Sequence, residues 1–276
     1  MGTKSNSRPG WASYAIVACL LMVAAAIWAF GDKDKDRGLS RQSAQASELM
    51  RVGMPTSTDS RIIDYEGFTM SFNDGMRQPN WVAWELTRDE SQATEYSRGN
   101  ADFAPDPAVG RSAQLDDYRG SGYDRGHMCP AGDMRWSLQG MKDCFLLTNM
   151  SPQKGELNSG AWKSLEEKCR EWAVRDSAII IICGPVLTDR LTRSIGSGIP
   201  VPERYFKVIL APYADPVRGI GFIMPNARVK GGMQAAAVSI DEVEAVTGFD
   251  FFAALPDDVE DRVEAECNFP RWSRKN

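Results

Sequence analysis

Tyr123-Asp124-Arg125-Gly126-His127-Met128-Cys129-Pro130-Ala131-Gly132-Asp133 is followed, after a short interval, by Phe145-Leu146-Leu147-Thr148-Asn149. The segment from Tyr123 to Met128 reads as a short strand. Pro130, Gly132 and Asp133 mark a connection, and the apolar run Phe145 to Leu147 reads as a second strand ending at Asn149. Beyond another polar turn, Ala161, Leu165, Cys169 and Trp172 recur at helical spacing, with Glu166, Glu167, Lys168, Arg170 and Glu171 on the other sides. The spacing predicts an amphipathic helix. The order is therefore strand, loop, strand, helix, built around the single histidine of the chain.

Outward from this centre, aromatic and β-branched residues alternate with polar ones over Ile62 to Phe72 and again over Trp81 to Leu86, predicting an opening pair of strands. Thr87 to Gly120 is polar, contains Pro105, Pro107 and Gly110, and reads as a long surface loop carrying Arg98. Ala178 to Cys183 is nearly all β-branched and stops at Gly184-Pro185, the pattern of a buried central strand. Tyr205 to Ala211 and Ile220 to Met224 read as further strands. Ser239 to Val246 and Val259 to Ala265 carry helical patterns with acidic residues near their starts, where the helix dipole favours negative charge. The fold class is mixed α/β (α+β), with no internal repeat.

The 276 residues suit one sizeable domain with appendages. A hydrophobic share of 43% and a charged share of 25% belong to a chain that buries a core. The net charge of −5 excludes a generally basic coat for polyanions, so such a ligand needs a local patch or a metal. Lys4 and Arg8 precede an uncharged stretch from Trp11 to Phe30, about the 20 residues a helix needs to cross a bilayer. With the charges after it nearly cancelling, residues 1–10 are expected to be cytoplasmic, 11–30 a transmembrane signal anchor, 31–60 a flexible linker and 61–270 an extracytoplasmic domain, periplasmic or intermembrane. Ala24, Ala25, Ala26 and Ala29 also suit a cleaved signal peptide, which would make the domain secreted, and Cys19 suits a lipid anchor. Cys129, Cys144, Cys169, Cys183 and Cys267 are odd in number and lack ligand-like spacing, so no pairing and no zinc site is read from them.

Asp124-Arg125-Gly126-His127 resembles the signature of the DNA/RNA non-specific endonucleases, the ββα-metal (His-Me finger) nucleases that include endonuclease G. The resemblance continues through Thr148 to Trp162 and on to Leu165 and Glu166. More weakly it spans roughly residues 62 to 268, through Cys183-Gly184-Pro185, Ile199 to Pro202 and Thr247 to Asp250. It implies a largely antiparallel central sheet flanked by helices, with a ββα-metal finger as active site. It also implies a magnesium-dependent endonuclease (Mn²⁺ being the other admissible ion) that cuts both DNA and RNA to 5′-phosphorylated products.

The chemistry explains the residue types. Imidazole accepts a proton from water near neutral pH, which makes His127 the expected general base. Mg²⁺ prefers oxygen ligands and keeps several waters, so one protein oxygen suffices; by resemblance that ligand is Asn158. By resemblance, too, Glu166 orients metal-bound water and Arg125 neutralises transition-state charge, with Arg98 assisting from the long loop. Asn149 is expected to organise the loop around the base. Plainer readings stand beside these: Asn158 as a helix N-cap, Glu166 as a solvated carboxylate, Asp124 as a partner of Arg125, Asn149 as a turn former. A narrow positive groove is expected around Arg98, Arg125, Arg135 and Lys154. The sequence leaves a homodimer open and names no protein partner. A catalytically silent nucleic-acid receptor at the membrane is the competing function.

Overall fold

The computed structural model describes residues 55, 61–188 and 190–273, all within one compact unit from Ala46 to Asn276. The expected span over 11–30, the tail before it and the linker (apart from Pro55) lie outside the described residues. Among the described residues, no helix is long and apolar enough to cross a membrane.

The strands are β1 (Arg61–Tyr65), β2 (Phe68–Asn73), β3 (Gln78–Thr87), β4 (Asp124–His127), β5 (Met150–Gln153), β6 (Ala178–Pro185), β7 (Ser194–Ile195), β8 (Ile199–Pro200), β9 (Arg204–Ala211), β10 (Arg218–Pro225) and β11 (Ala237–Val238). The helices are α1 (Arg88–Gln92), α2 (Leu115–Tyr118), α3 (Leu138–Asp143), α4 (Lys163–Asp176), α5 (Gly232–Ala236), α6 (Ile240–Thr247), α7 (Asp257–Ala265) and α8 (Phe269–Ser273). Seven strands form one sheet in the order β1-β2-β3-β6-β9-β10-β11, every neighbouring pair antiparallel. The mixed class and the antiparallel sheet agree with the sequence reading.

Side-chain alternation divides this sheet into two faces. Val82, Trp84 and Leu86 of β3, Ile179, Ile181 and Cys183 of β6, Ile209 of β9 and Phe222 of β10 join one core with Leu165, Cys169 and Trp172 of α4. Each large apolar side chain so buried contributes about 1.5–3 kcal/mol. On the opposite face, β10 carries glycines because α6 and α7 press close. A Cβ on Gly219 would lie 2.6 Å from Ile240 Cδ1 and from Val263 Cγ1, and one on Gly221 would lie 2.7 Å from Val243 Cγ2. Ser239 caps α6 by accepting from Glu242 N, with the Glu242 side chain returning to the Ser239 backbone.

Two expectations are corrected. Ile62 to Phe72 is two strands, because the chain turns between Tyr65 and Phe68 with Gly67 at φ 95°, a left-handed value that favours glycine. The second strand of the central motif is not Phe145 to Asn149. Leu147–Asn149 is a single 3₁₀ turn, α3 occupies the preceding connection, and the strand starts at Met150. Phe145 and Leu147 are apolar because they anchor that turn in two different cores. The true strand carries polar residues that are fully buried: Ser151 donates to Gln78 Oε1 at 2.6 Å and lies 2.9 Å from the Tyr205 hydroxyl.

Candidate active site

β4 and β5 pair antiparallel, with His127 opposite Met150 and Arg125 opposite Pro152. Gly126 allows the close approach, since a Cβ there would fall 2.3 Å from the buried Gln153 side chain. After β5 the chain enters a wide helical turn over Leu157–Trp162, kinked at Gly160, and continues into α4. Leu157 and Trp162 point into the core. The Trp162 indole donates to the His127 carbonyl at 3.2 Å, clamping the helix entrance onto the strand that carries the histidine.

His127 lies against two aromatic rings, with centroids 5.4 Å from Phe103 and 4.9 Å from Phe145. Its Nε2 is enclosed and has no hydrogen-bond partner. Burial, then the charges of Arg98 and Arg125, push its pKa down to about 3, so the ring is neutral at physiological pH. The Arg125 guanidinium sits 4.4 Å from the centre of the Phe103 ring, and that of Arg98 lies 5.7 Å from Phe103 and 5.4 Å from Phe145. Arg125 Nε is buried and unpartnered. Arg98 reaches the site because its loop is tied across the finger. Ala104 bridges Leu146, donates to the Phe145 carbonyl at 3.3 Å and accepts from Leu147 N at 2.8 Å. Asp106 fastens the same loop by accepting from Thr148 Oγ1 at 2.6 Å and from the Tyr65 hydroxyl.

Asn158 does not cap a helix. It lies inside the wide turn, and its Nδ2 donates to Asp124 Oδ2 at 3.0 Å. Asp124 is thus the partner of Asn158, not of Arg125. Asn158 Oδ1 makes no bond to any described residue. Together with the Asp124 carboxylate it offers an all-oxygen donor set on the groove, which fits a hard divalent cation. The groove is a cavity of about 520 Å³ lined by Arg98, Phe103, Arg119, Asp124, Arg125 and Asn158, with Leu115, Tyr118 and Tyr123. Lys154 stands at its edge, with Nζ 4.0 Å from the centre of the Tyr123 ring. Arg135, expected here, is not among the lining residues. Arg119, which directly follows α2, takes that place. Asp117 of α2 accepts from Ser197 N and Oγ, each at 2.6 Å, pinning the helix to the β7–β8 hairpin. No pattern around Arg119 in the sequence marks it, because its position depends on that distant hairpin.

Asn149 is fully buried, away from the groove. Its Oδ1 accepts from Cys129 N at 3.0 Å, and its Nδ2 donates to the carbonyls of Cys129 and Cys144 at 2.9 and 2.8 Å. All its polar atoms are committed to the loop after β4, so it acts on position and not on substrate. Glu166 is half-buried one turn into α4 and does not line the groove. Burial, with the charges of Asp133 and Glu167 and against those of Lys207 and Arg170, raises its pKa to about 7. Lys207 went unnoticed in the sequence. It is fully buried on β9, its Nζ 4.4 Å from the Trp162 ring and 5.2 Å from that of Trp84. Burial opposes its charge, but Cys183, Cys169, Glu166 and Asp133 outweigh burial and raise its pKa. The signal was legible: a lysine at an inward position of a strand, between Tyr205 and Ile209. Cys129, Cys144, Cys169 and Cys183 are free and buried, and Cys267 is free and exposed.

The model of the DNA/RNA non-specific endonuclease family matches residues 45–258. The chain is 35% identical over 223 residues to the mitochondrial nuclease EXOG of Danio rerio, covering 74% of this chain and 64% of that protein. To nuclease C1 of Cunninghamella echinulata it is 32% identical over 229 residues, covering 77% of this chain and 90% of the relative. It spans 62 to 64% of the length of the zebrafish, mouse and human EXOG proteins. Among solved structures, the crystal structure of an EndoG/EndoGI complex superposes with a TM-score of 0.69 at 28% identity, covering 76% of this chain and 92% of that one. The matched residues take in β4, β5 and the start of α4, the groups that build the groove: this chain belongs to the DNA/RNA non-specific endonuclease family.

Proposed function

We propose that the chain is a Mg²⁺-dependent endonuclease that hydrolyses phosphodiester bonds of DNA and RNA without sequence preference, leaving 5′ phosphates. One observation carries the reading. Two guanidinium groups, Arg98 and Arg125, and a carboxamide with a free oxygen, Asn158, line one groove from separate parts of the chain, and the neutral imidazole of His127, its Nε2 without a hydrogen-bond partner, packs 5.4 Å from Phe103 of the groove wall.

Asn158 Oδ1, beside Asp124, would hold the ion. When bound, Mg²⁺ supplies a Lewis acid for the phosphate and the departing 3′ oxygen. The chain's own residues do the rest. With Nε2 enclosed, Nδ1 of His127 is left to take the proton from the attacking water. Its low pKa keeps it in the proton-accepting form throughout the neutral range. Arg98 and Arg125, held by stacking on Phe103, neutralise charge as the transition state forms. Asn149 holds the loop that follows the base strand. Contacts of this kind address the sugar-phosphate backbone and not base edges, which accounts for action on both nucleic acids.

The apolar stretch 11–30 would hold the domain outside the cytoplasm as a single-pass anchor; extraction of the full chain from membranes only by detergent supports this, and release by alkaline carbonate overturns it. Plasmid nicking by the full chain, with Mg²⁺ or chelator, beside His127→Ala and Asn158→Ala, tests the activity. Cutting that requires metal and collapses in both variants is expected. A folded wild type that binds DNA without cutting it would favour a silent receptor.

A further inference from the structure

Among the described residues, a further cluster of ligand-capable groups lies on the other face of the sheet. Asp241 and Glu244 of α6 and Glu264 of α7 bring one carboxylate oxygen each to within 4.8 Å of one another. None of the three forms a salt bridge with a described residue. Glu264 is 7% exposed, and its Oε1 is buried inside the cluster with no hydrogen-bond partner. A buried carboxylate oxygen without a partner is costly. Its setting makes the cost higher: Glu264 stands in the last turn of α7, where the helix dipole disfavours negative charge. Burial and the neighbouring Glu244, Glu260, Asp241 and Asp250 push its pKa up to about 8.

We propose that Asp241, Glu244 and Glu264 bind one hard divalent cation, Ca²⁺ in preference to Mg²⁺, in a structural site separate from the nuclease groove. Ca²⁺ accepts several carboxylate oxygens in flexible geometry, whereas Mg²⁺ demands a near-ideal octahedron and gives up its waters reluctantly, so a site of three carboxylates from two helices suits Ca²⁺ better. The ion would satisfy Glu264 Oε1, cancel the repulsion and tie α6 to α7. Glu244 Oε1 also accepts from Phe251 N at 2.8 Å, so the loop packed beneath the two helices is held by the same group. The inference does not depend on the proposed activity, because the site shares no residue with the groove.

The test is thermal unfolding of the full chain, stripped by chelator and then titrated with Ca²⁺, beside Glu264→Gln, Asp241→Asn and Asn158→Ala. For the wild type, Tm is expected to rise by roughly 5–10 °C at a hundredfold excess of Ca²⁺ over its Kd. Glu264→Gln and the rim variant Asp241→Asn should lose that rise, while their metal-free Tm equals or exceeds that of the wild type because one crowded carboxylate is gone. Asn158→Ala should keep the rise. The proposal falls if Ca²⁺ leaves the wild-type Tm unchanged, if both carboxylate variants still respond, if the response vanishes in Asn158→Ala, or if Mg²⁺ matches Ca²⁺.

Discussion

The two faces of the seven-stranded sheet gather different charged groups. On the finger side Arg98, Arg119 and Arg125 line one cavity, and Lys154 stands at its edge. Behind it Lys207 is buried between two tryptophans. On the other side Asp241, Glu244 and Glu264 converge between two helices. In a chain with a net charge of −5, three guanidinium groups thus share one groove with a single carboxylate, that of Asp124. Net charge describes solubility and long-range steering, while the local field in a groove is set by the few charged groups that line it.

The sharpest way to break this contrast is to remove the groups proposed to do chemistry on the finger side. His127→Ala should lower the rate of plasmid nicking by about 10²–10⁴-fold, the usual contribution of a general base, without loss of DNA binding in a gel-shift assay. Next in size is Asn149→Ala. It would leave Cys129 N and the carbonyls of Cys129 and Cys144 without partners, so chemical denaturation should show a loss of about 3 kcal/mol. Arg125→Ala should cost about 10²-fold in kcat/KM and reduce the slope of log binding against log salt by about 1. A comparable loss on changing the surface residue Arg135→Ala would contradict the groove, since Arg135 does not line it.

The smallest effect concerns pH. The folded chain holds His127 at a pKa of about 3, against 6.5 for the ordinary value. Between these values the unfolded chain binds a proton that the folded chain refuses, so stability falls as pH drops below 6.5 and continues to fall toward 3. His127→Gln should therefore lose less stability than the wild type between pH 7 and pH 5, by on the order of 2 kcal/mol, measured by denaturation in chelator. Equal acid sensitivity in the two proteins would show that the imidazole is not held neutral.

Much of the finger side was legible in the chain. Asp124 to His127 and Asn158 lie in two matched stretches of one motif, brought together through one strand pair and one helix entrance. The buried β6 could be read from Ala178 to Cys183 because every one of its side chains is covered. The limits of β5 could not, since its buried Ser151 is satisfied by Gln78 and Tyr205, which are remote in sequence. Glu166 illustrates the same limit. Counting residues put it eight positions after Asn158, but the charges around its buried carboxyl, Lys207 and Asp133 above all, come from segments far along the chain.

The sequence by itself determined the family, the mixed α+β class, the strand-loop-strand-helix order and the identity of the single histidine, because local pattern and motif spacing encode these directly. Only the tertiary structure decided that Arg98 and Arg119 share a groove with Arg125, that Asn149 points into a backbone loop and that Lys207 lies under the finger. It also decided that three carboxylates of α6 and α7 meet. Each of these depends on contacts between segments far apart in the chain, such as Ala104 with Leu146 or Asp117 with Ser197, and no local periodicity records them.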